Sequence, residues 1–224
     1  ILVVAPHADD EVLGAGGTMA RLTQEGYRVV VAILTGHGEQ ETHPLWPPSV
    51  WERVRAEAKQ AHAILGVEQT LFRELPAAQI ADIPTWQLNK VVGDLVADVA
   101  PDVLLVPFAL DLHKDHREIF QALSVAWRPH TAYGHKIRSI YAYETVSETH
   151  MNVPYVEQAF VPTVWIDISD TLETKSRALA CYTSQMRPSP DIRSIETIEA
   201  LARWRGAQMN LRAAESFVCI RQRV

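Results

Sequence analysis

Apolar residues along this chain form short continuous runs that alternate with segments of helical periodicity. Runs of strand length predict strands at residues 1–5, 28–34, 67–72, 103–107, 139–144, 163–168 and 217–220. Segments with one apolar face predict helices at residues 12–24, 49–65, 82–100, 115–127, 171–182 and 196–207. Turn residues mark several of the boundaries, because Gly26 and Gly66 follow the first two helices and Pro101 follows the third.

Strands that alternate with helices are typical of βαβ units and a parallel sheet. We therefore predict a single α/β domain over residues 1–224, with a Rossmann-like, doubly wound, mostly parallel sheet in a three-layer α/β/α arrangement. In the common strand order 3-2-1-4-5, the first and fourth strands are neighbours, and ligands bind at their carboxyl ends. Residues 129–162 are the least regular part of the pattern and are left without an assignment.

Two polar clusters follow the first and fourth predicted strands. Residues 6–11 read Pro-His-Ala-Asp-Asp-Glu, and residues 111–116 read Asp-Leu-His-Lys-Asp-His. Imidazole and carboxylate groups are the ligands that a catalytic zinc ion takes in proteins. Because the predicted topology brings both clusters to the same crevice, the sequence predicts a metal-dependent hydrolase.

Six side chains of the two clusters can be given a role. The predicted ligands of Zn²⁺, or of another divalent metal in its place, are His7, Asp10 and His116. Asp9 is expected to point away from its neighbour and to serve as general base to a water molecule. His113 is expected to stabilise an oxyanion or to donate a proton, with Asp115 orienting and charging its ring. Helix capping is the competing interpretation for Asp115.

Several nearby residues keep two interpretations. Glu11 is either an outer partner of the site or an acid favoured by the helix dipole. The run of small residues at 14–17 lacks the third glycine of a dinucleotide fingerprint, so close helix–sheet packing explains it better. His37 and His43 follow the second strand, and we expect them to be solvated loop residues rather than pocket residues. His62 is expected to be structural.

The second predicted helix and the loop before it carry candidates for substrate binding. Arg53 and Arg55 are assigned to substrate hydroxyls or a carboxylate, although at least one of them is expected to lie on a solvated face. Trp46 and Trp51 flank the same loop. Stacking on a sugar ring and packing against the core are equally good explanations for these two indoles.

Composition narrows the class of partner. The chain has 224 residues and a formal net charge of −6, so no basic face for nucleic acid is predicted. No apolar run reaches the roughly 18 residues of a membrane span. Cys181 and Cys219 form no disulfide framework and are expected to be buried, and no signal peptide is visible, so a cytoplasmic location is predicted. The chain starts at Ile1, which leaves open whether other residues precede it.

At these residues the chain resembles the PIG-L/LmbE family of zinc-dependent N-acetylglucosamine deacetylases. The family's Ala-His-Pro-Asp-Asp-Glu motif is similar to residues 6–11, and its His-Pro-Asp-His motif is similar to residues 113–116. Ala8 and Lys114 replace the two motif prolines, neither of which offers a ligand. In the family, an arginine and a glutamate precede a Leu-Gly pair. Arg53 or Arg55 resembles that arginine, Glu57 resembles the glutamate, and residues 65–66 resemble the Leu-Gly pair. Residues 214–217 also resemble a late family segment.

The resemblance implies the same three zinc ligands, Asp9 as general base, and His113 with Asp115 at the oxyanion. We therefore expect an enzyme that removes an N-acetyl group from a small amino-sugar conjugate, with no nucleic-acid or membrane partner and with a homo-oligomer left open. The alternatives are a metal-dependent hydratase of a small dicarboxylic acid and a nucleotide-binding module with an incidental metal. Release of acetate would distinguish the deacetylase from the hydratase. The missing glycine fingerprint counts against the nucleotide-binding module.

Overall fold

The computed structural model describes residues 1–37, 43–153 and 155–223, which form a single α/β domain around one seven-stranded sheet. The strands in chain order are β1 Leu2–Ala5, β2 Val30–Gly36, β3 Gln69–Pro76, β4 Val103–Pro107, β5 Ser139–Tyr143, β6 Val164–Asp167 and β7 Ala214–Gln222. All seven strands lie within a few residues of the positions predicted from apolar runs. The last strand is longer than the predicted 217–220, because its first half is buried and its second half continues along β5.

The described residues form seven α-helices, which pack around the sheet. They are α1 Asp10–Gln24, α2 Pro48–Leu65, α3 Thr85–Val99, α4 Lys114–Ala126, α5 Val146–Thr149, α6 Leu172–Leu179 and α7 Ile195–Ala207. A single 3₁₀ turn, Ile80–Asp82, replaces the beginning of the third predicted helix. The one-turn helix α5 lies in the segment that the sequence pattern left unassigned. No helix in the described part of the chain is both long and apolar enough to cross a membrane.

The sheet has the strand order β3-β2-β1-β4-β5-β7-β6, so the predicted order 3-2-1-4-5 is confirmed. β1 pairs in parallel with β2 on one side and with β4 on the other, and Leu2 lies beside both Val30 and Leu104. β7 runs antiparallel between β5 and β6. The switch point of the topology therefore lies at the carboxyl ends of β1 and β4, where the two polar clusters follow.

Each face of the central strands packs against its own layer of helices. In β1, Val3 and Ala5 face the layer that contains α1 and α2, whereas Leu2 and Val4 face the layer that contains α3 and α4. A strand buried on both faces needs apolar residues at every position, which explains why β1 and β2 appear in the sequence as unbroken apolar runs. The same double burial holds the ends of β1 and β4 in fixed positions.

Close approaches to Tyr143, Lys175 and Ile168 explain the three glycines at positions 14, 16 and 17 of α1. A Cβ atom added to Gly14 would collide with the ring of Tyr143, and the Tyr143 hydroxyl donates to the carbonyl of Val4 at 2.8 Å. The predicted role of this run in close helix–sheet packing is confirmed. The first turn of α1 is thereby held against β1 and β5, and it carries the acidic residues of the first cluster.

A buried ion pair joins α7 to the end of β5. The Arg205 guanidinium donates to both oxygens of the Glu144 carboxylate at 2.8 and 2.6 Å. Burial raises the pKa of Glu144, but hydrogen bonds from His150, Arg205 and Ser216 outweigh it and lower the pKa to about 2. The stability that Glu144 contributes is therefore present above its ordinary pKa of 4.5 and is lost as the pH falls toward 2.

Arg205→Ala is expected to lower the free energy of unfolding by about 3 kcal/mol, because it leaves a buried carboxylate without its cation. The matched control is Arg203→Ala on the same helix, whose exposed ion pair with Glu199 should contribute less than about 1 kcal/mol. Urea unfolding of the two variants measures the difference. Equal destabilisation by both substitutions would contradict a structural role for the buried pair.

Candidate active site

Three potential metal ligands converge at the switch point of the sheet. His7 and Asp10 follow β1, and His116 lies in the first turn of α4 after β4. The His7 Nδ1 atom lies 3.4 Å from Asp10 Oδ2, His116 Nε2 lies 3.1 Å from the same oxygen, and the two ring nitrogens are 3.3 Å apart. The structure thus brings together all three residues that the sequence assigned to a metal.

The size and chemistry of this triangle fit a divalent cation. Ligand atoms about 2.0–2.1 Å from a tetrahedral zinc ion are separated by about 3.3 Å, and the observed sides range from 3.1 to 3.4 Å. Asp10 and His116 are fully buried, and His7 is one quarter exposed. The second oxygen of Asp10, Oδ1, is buried with no hydrogen-bond partner among the described residues. The three ligand atoms are therefore close enough to bind one cation together.

Carboxylates behind the triangle orient both imidazoles. The Asp115 carboxylate lies 3.0 Å from His7 Nε2, and the Asp111 carboxylate lies 2.8 Å from His116 Nδ1. The Thr149 hydroxyl donates to the other oxygen of Asp111 at 2.5 Å. With a metal on the facing nitrogens, each ring would donate its remaining N–H to its carboxylate, the usual arrangement of metal-binding histidines.

The position of Asp115 differs from the sequence-based expectation. Its Oδ2 atom lies 3.9 Å from His113 Nδ1 but 3.0 Å from His7 Nε2, so the carboxylate orients His7 rather than His113. The same carboxylate accepts the backbone N–H of Ala78 at 2.6 Å. It is the backbone N–H of Asp115 that contacts His113, by donating to Nδ1 at 3.1 Å. The spacing of the motif could not reveal this, because Ala78 belongs to the loop after β3.

His113 is held as a neutral imidazole that can donate from Nε2. Burial, together with the positive charge of His7, lowers the pKa of His113 to about 4. Because Nδ1 accepts a backbone N–H at the start of α4, the ring proton resides on Nε2. His113 lines the same cavity as His7 and Asp9. A neutral N–H donor at this position suits a developing oxyanion.

Without a cation, the His7 and His116 rings of the triangle hold their protons at neutral pH. Burial lowers the pKa of His7, but hydrogen bonds to Asp10 and Asp115 outweigh it and raise the pKa to about 9. Burial likewise opposes protonation of His116, yet Asp10 and Asp111 raise its pKa to about 10. A metal must therefore displace protons from these rings at neutral pH.

We expect metal binding to release protons at pH 7 and to tighten as the pH rises toward 9. Calorimetric titration in buffers of different ionisation enthalpy measures the protons released. About one divalent ion per chain should bind, and His116→Ala should abolish binding. Metal affinity that does not change between pH 6 and pH 9 would contradict this assignment.

Asp9 is held in a strained backbone conformation beside the triangle. Its φ angle is 127°, a region that residues other than glycine rarely adopt. Burial and the neighbouring Asp10 charge raise the pKa of Asp9 to about 8. Its Oδ2 atom is buried and lies 3.3 Å from a guanidinium nitrogen of Arg193, but no hydrogen bond to this oxygen is formed in the described chain. Backbone strain of this kind at a buried carboxylate is typical of a functional residue.

Glu11 is an outer partner of the site, one of the two interpretations that the sequence left open. One oxygen of its buried carboxylate accepts the backbone N–H of Asp9 at 3.2 Å. The other lies 3.1 Å from His62 Nε2 and accepts the Tyr182 hydroxyl. His62 also contacts the Thr70 hydroxyl at 2.7 Å, which agrees with its predicted structural role. This network fixes the backbone of Asp9 from α2 and from the end of α6.

A cavity of about 280 Å³ opens next to the triangle. Its polar lining residues are His7, Asp9, Thr35, Arg55, His113, Glu148, Gln185 and Arg193. Its apolar lining residues are Ala8, Ile33, Trp46, Val50, Trp51, Val54, Phe72, Ala77 and Ala78. The cavity thus joins His7 of the triangle to a group of aromatic residues.

The two candidate arginines occupy different places. Arg55 lines the cavity, pairs with Glu74, and lies 5.7 Å from the centre of the Phe72 ring. Arg53 is exposed and donates to Glu57 at 3.1 Å and to Thr183 at 2.9 Å, so the structure does not bring it to the cavity. One of the pair therefore lies on a solvated face, as expected.

His43 differs from its expected solvated position. It is 4% exposed, and its Nε2 atom lies 2.8 Å from the carbonyl of Ala77. The Leu45 N–H donates to its Nδ1 at 3.1 Å. His43 therefore anchors the loop that carries Trp46. His37 remains partly exposed, 3.8 Å from Glu74.

Arg193, Glu148 and Asp111 are site residues for which sequence reasoning found no role. Arg193 precedes α7 and lies between Asp9 and Glu148, 3.3 Å from the first carboxylate and 3.5 Å from the second. Glu148 lies in α5, within the unassigned segment. Asp111 belongs to the second cluster, and its position five residues before His116 was the one available signal.

The fold and this site together define an enzyme of the hydrolase class. The chain belongs to the PIG-L family, since residues 2–127 match the family described as GlcNAc-PI de-N-acetylase. It is 28% identical over 198 residues to a diacetylchitobiose deacetylase of Thermococcus kodakarensis, covering 83% of this chain and 69% of that protein. It is 30% identical over 161 residues to the uncharacterized deacetylase YaiS of Escherichia coli, covering 70% and 79%.

A solved structure agrees with this placement. The conserved protein TT1542 from Thermus thermophilus superposes with a TM-score of 0.75 at 26% identity, covering 97% of this chain and 92% of that chain. The chain is accordingly an amide hydrolase of the N-deacetylase kind.

Proposed function

We propose that this protein is a zinc-dependent deacetylase that removes the N-acetyl group from a small N-acetylglucosamine-type conjugate. One observation carries the proposal: three ligand atoms lie 3.1–3.4 Å apart, and His7, which holds one of them, lines a cavity together with Asp9 and His113. The similar diacetylchitobiose deacetylase supports the choice of an amino-sugar amide as the substrate class.

The ligands of the metal would be His7, Asp10 and His116. When bound there, Zn²⁺ would polarise an amide carbonyl and lower the pKa of a water molecule. Asp111 and Asp115 hold the two imidazoles in the tautomers that ligation needs. Because the two imidazoles are held in place and the Asp10 carboxylate is buried, the site keeps one geometry as negative charge develops on the substrate.

The remaining side chains of the site transfer protons and stabilise negative charge. In its ionised form Asp9 accepts a proton from the attacking water, because this residue lines the cavity beside His7. His113 donates its Nε2 proton in a hydrogen bond to the carbonyl oxygen as negative charge builds there. Protonated Asp9 then delivers the proton to the leaving amine. The Arg193 guanidinium, 3.3 Å from Asp9, keeps the carboxylate aimed at the site.

We assign the enzyme to the cytoplasm and to small amino-sugar conjugates rather than to nucleic acid or membrane lipid. Both cysteines are free and half-buried, less buried than the sequence pattern predicted, and neither forms a disulfide. A net charge of −6 is compatible with a neutral sugar substrate.

Release of acetate together with a primary amine tests the proposed function. Zinc-loaded protein is incubated with methyl N-acetylglucosaminide and with N,N′-diacetylchitobiose, and both products are quantified. Chelation should abolish turnover, and added metal should restore it. Stoichiometric acetate and amine support a deacetylase. Hydration of an unsaturated dicarboxylic acid without acetate release would instead support the hydratase.

A further inference from the structure

The half of the cavity toward β3, two strands from β1, has an aromatic wall, which we define as Trp46, Trp51 and Phe72. The two indoles meet edge to face with ring centres 5.8 Å apart. His43 packs against both of them, at 4.8 and 5.5 Å, and ties the loop to the Ala77 carbonyl. The wall is therefore held by contacts within the protein, and it lines the same cavity as His7.

Polar groups on this side are nearly all occupied within the protein. The Thr35 hydroxyl donates to the carbonyl of Pro6 at 2.7 Å, and Arg55 pairs with Glu74. The Trp51 Nε1–H is buried and has no acceptor among the described residues. Because a buried indole N–H usually has a partner, a ligand with one oxygen acceptor would complete this wall.

We infer that the aromatic wall recognises an apolar aglycone on the amino-sugar substrate, with the glycosidic oxygen or an adjacent hydroxyl accepting from Trp51. This inference rests on the proposed function. An acyl chain longer than acetyl offers no acceptor for the indole, so it fits this half less well. A second sugar ring would bury several hydroxyl groups in this half, where the described lining offers a single free hydrogen-bond donor. Burying hydroxyl groups without hydrogen-bond partners would weaken binding.

The aglycone is therefore aryl or alkyl and uncharged. An anionic group would find no free cation in the described lining of this half, because the Arg55 guanidinium is already paired with Glu74. An aromatic ring placed against Trp46, which is 37% exposed, would cover the open part of the wall. Apolar contacts of this size typically change specificity by about tenfold or more.

The test compares kcat/KM for the methyl, phenyl and octyl β-glycosides of N-acetylglucosamine and for N,N′-diacetylchitobiose. The phenyl and octyl glycosides should exceed the methyl glycoside and the disaccharide by roughly tenfold. Trp51→Ala should bring the phenyl-to-methyl ratio close to one. Trp86→Ala is the matched control, since this exposed indole in α3 lies outside the cavity and its loss should leave the ratio unchanged.

A second variant distinguishes the effect of the aromatic ring from the effect of its hydrogen bond, and it is less disruptive to folding than alanine. Trp51→Phe keeps an aromatic ring but removes the donor, so it should slow all glycosides alike and preserve the phenyl-to-methyl ratio. Circular dichroism confirms that each variant is folded. A phenyl-to-methyl ratio of one in the unaltered enzyme, or a ratio that survives in Trp51→Ala, overturns the inference. Faster turnover of an N-octanoyl methyl glycoside than of the phenyl glycoside also overturns it, in favour of an acyl occupant.

Binding of the amine product distinguishes a failure of this inference from a failure of the proposed function. Phenyl β-glucosaminide should bind roughly tenfold more tightly than methyl β-glucosaminide by calorimetry, and Trp51→Ala should remove the difference. If no glycoside is deacetylated, the proposed function fails, while this binding comparison still decides whether the wall holds an aglycone. Equal affinity for the two amines overturns the inference even when acetate is released.

Discussion

Asp9→Asn is expected to retain the metal and to lose deacetylation by about 10²- to 10⁴-fold. The amide has the same shape and cannot accept the proton of the attacking water, and general-base catalysis contributes a factor of this size. Asparagine has the same branching as aspartate, and the Asp9 backbone N–H keeps its acceptor on Glu11, so the turn with φ 127° should survive. Metal analysis and initial rates of acetate release measure the two properties separately.

The neighbouring residue supplies the matched comparison. Asp10→Asn should weaken metal binding, because the Asp10 oxygen lies in the ligand triangle, 3.1 Å from His116 Nε2, and a neutral amide oxygen is a poorer ligand. Activity should return in part at high metal concentration for Asp10→Asn and not for Asp9→Asn. Equal loss of metal in both variants, or nearly normal rates in Asp9→Asn, would refute the division of roles.

His113→Asn is expected to reduce kcat by about 10²- to 10³-fold while the metal content stays unchanged. The variant loses the Nε2–H that faces the cavity, and removal of one oxyanion donor has an effect of this size. Asparagine still offers an oxygen to the backbone N–H of Asp115 and so can cap α4.

The alanine variant separates the cap from the catalytic donor. His113→Ala should lose activity to the same extent and should also lose about 1 kcal/mol of stability, because the cap is removed. Thermal unfolding and metal analysis of both variants provide the measurements. A collapse of metal content in His113→Asn would show that this residue is a ligand and would remove it from the oxyanion role.

Local patterns in the sequence were sufficient for the candidate metal ligands and for the central sheet. Unbroken apolar runs identify strands buried on both faces, and the residue types after β1 and β4 identify the candidate ligand set. The strand order then follows from rules of chain connection rather than from any particular residue. These features are local or generic, so one sequence is enough to predict them.

Two of the contacts that the sequence did not reveal join distant segments. Asp115 contacts His7 because the loop after β3 supplies a backbone N–H from Ala78, and no spacing within the second motif encodes that loop. Arg193 reaches Asp9 from a proline-rich turn before α7, where a single arginine resembles any surface residue. Such contacts depend on how the layers pack, which hydrophobic periodicity does not specify.

The position of β7 has a consequence for how the protein is made. This strand follows all the others along the chain, yet it lies inside the sheet and is the hydrogen-bonded neighbour of both β5 and β6. While a ribosome is still synthesising residues 168–213, β5 has an open edge and β6 has no partner. Exposed strand edges are sites of mispairing between chains. We therefore expect nascent chains arrested in this interval to need chaperone protection, whereas chains released after residue 222 can close the sheet without help.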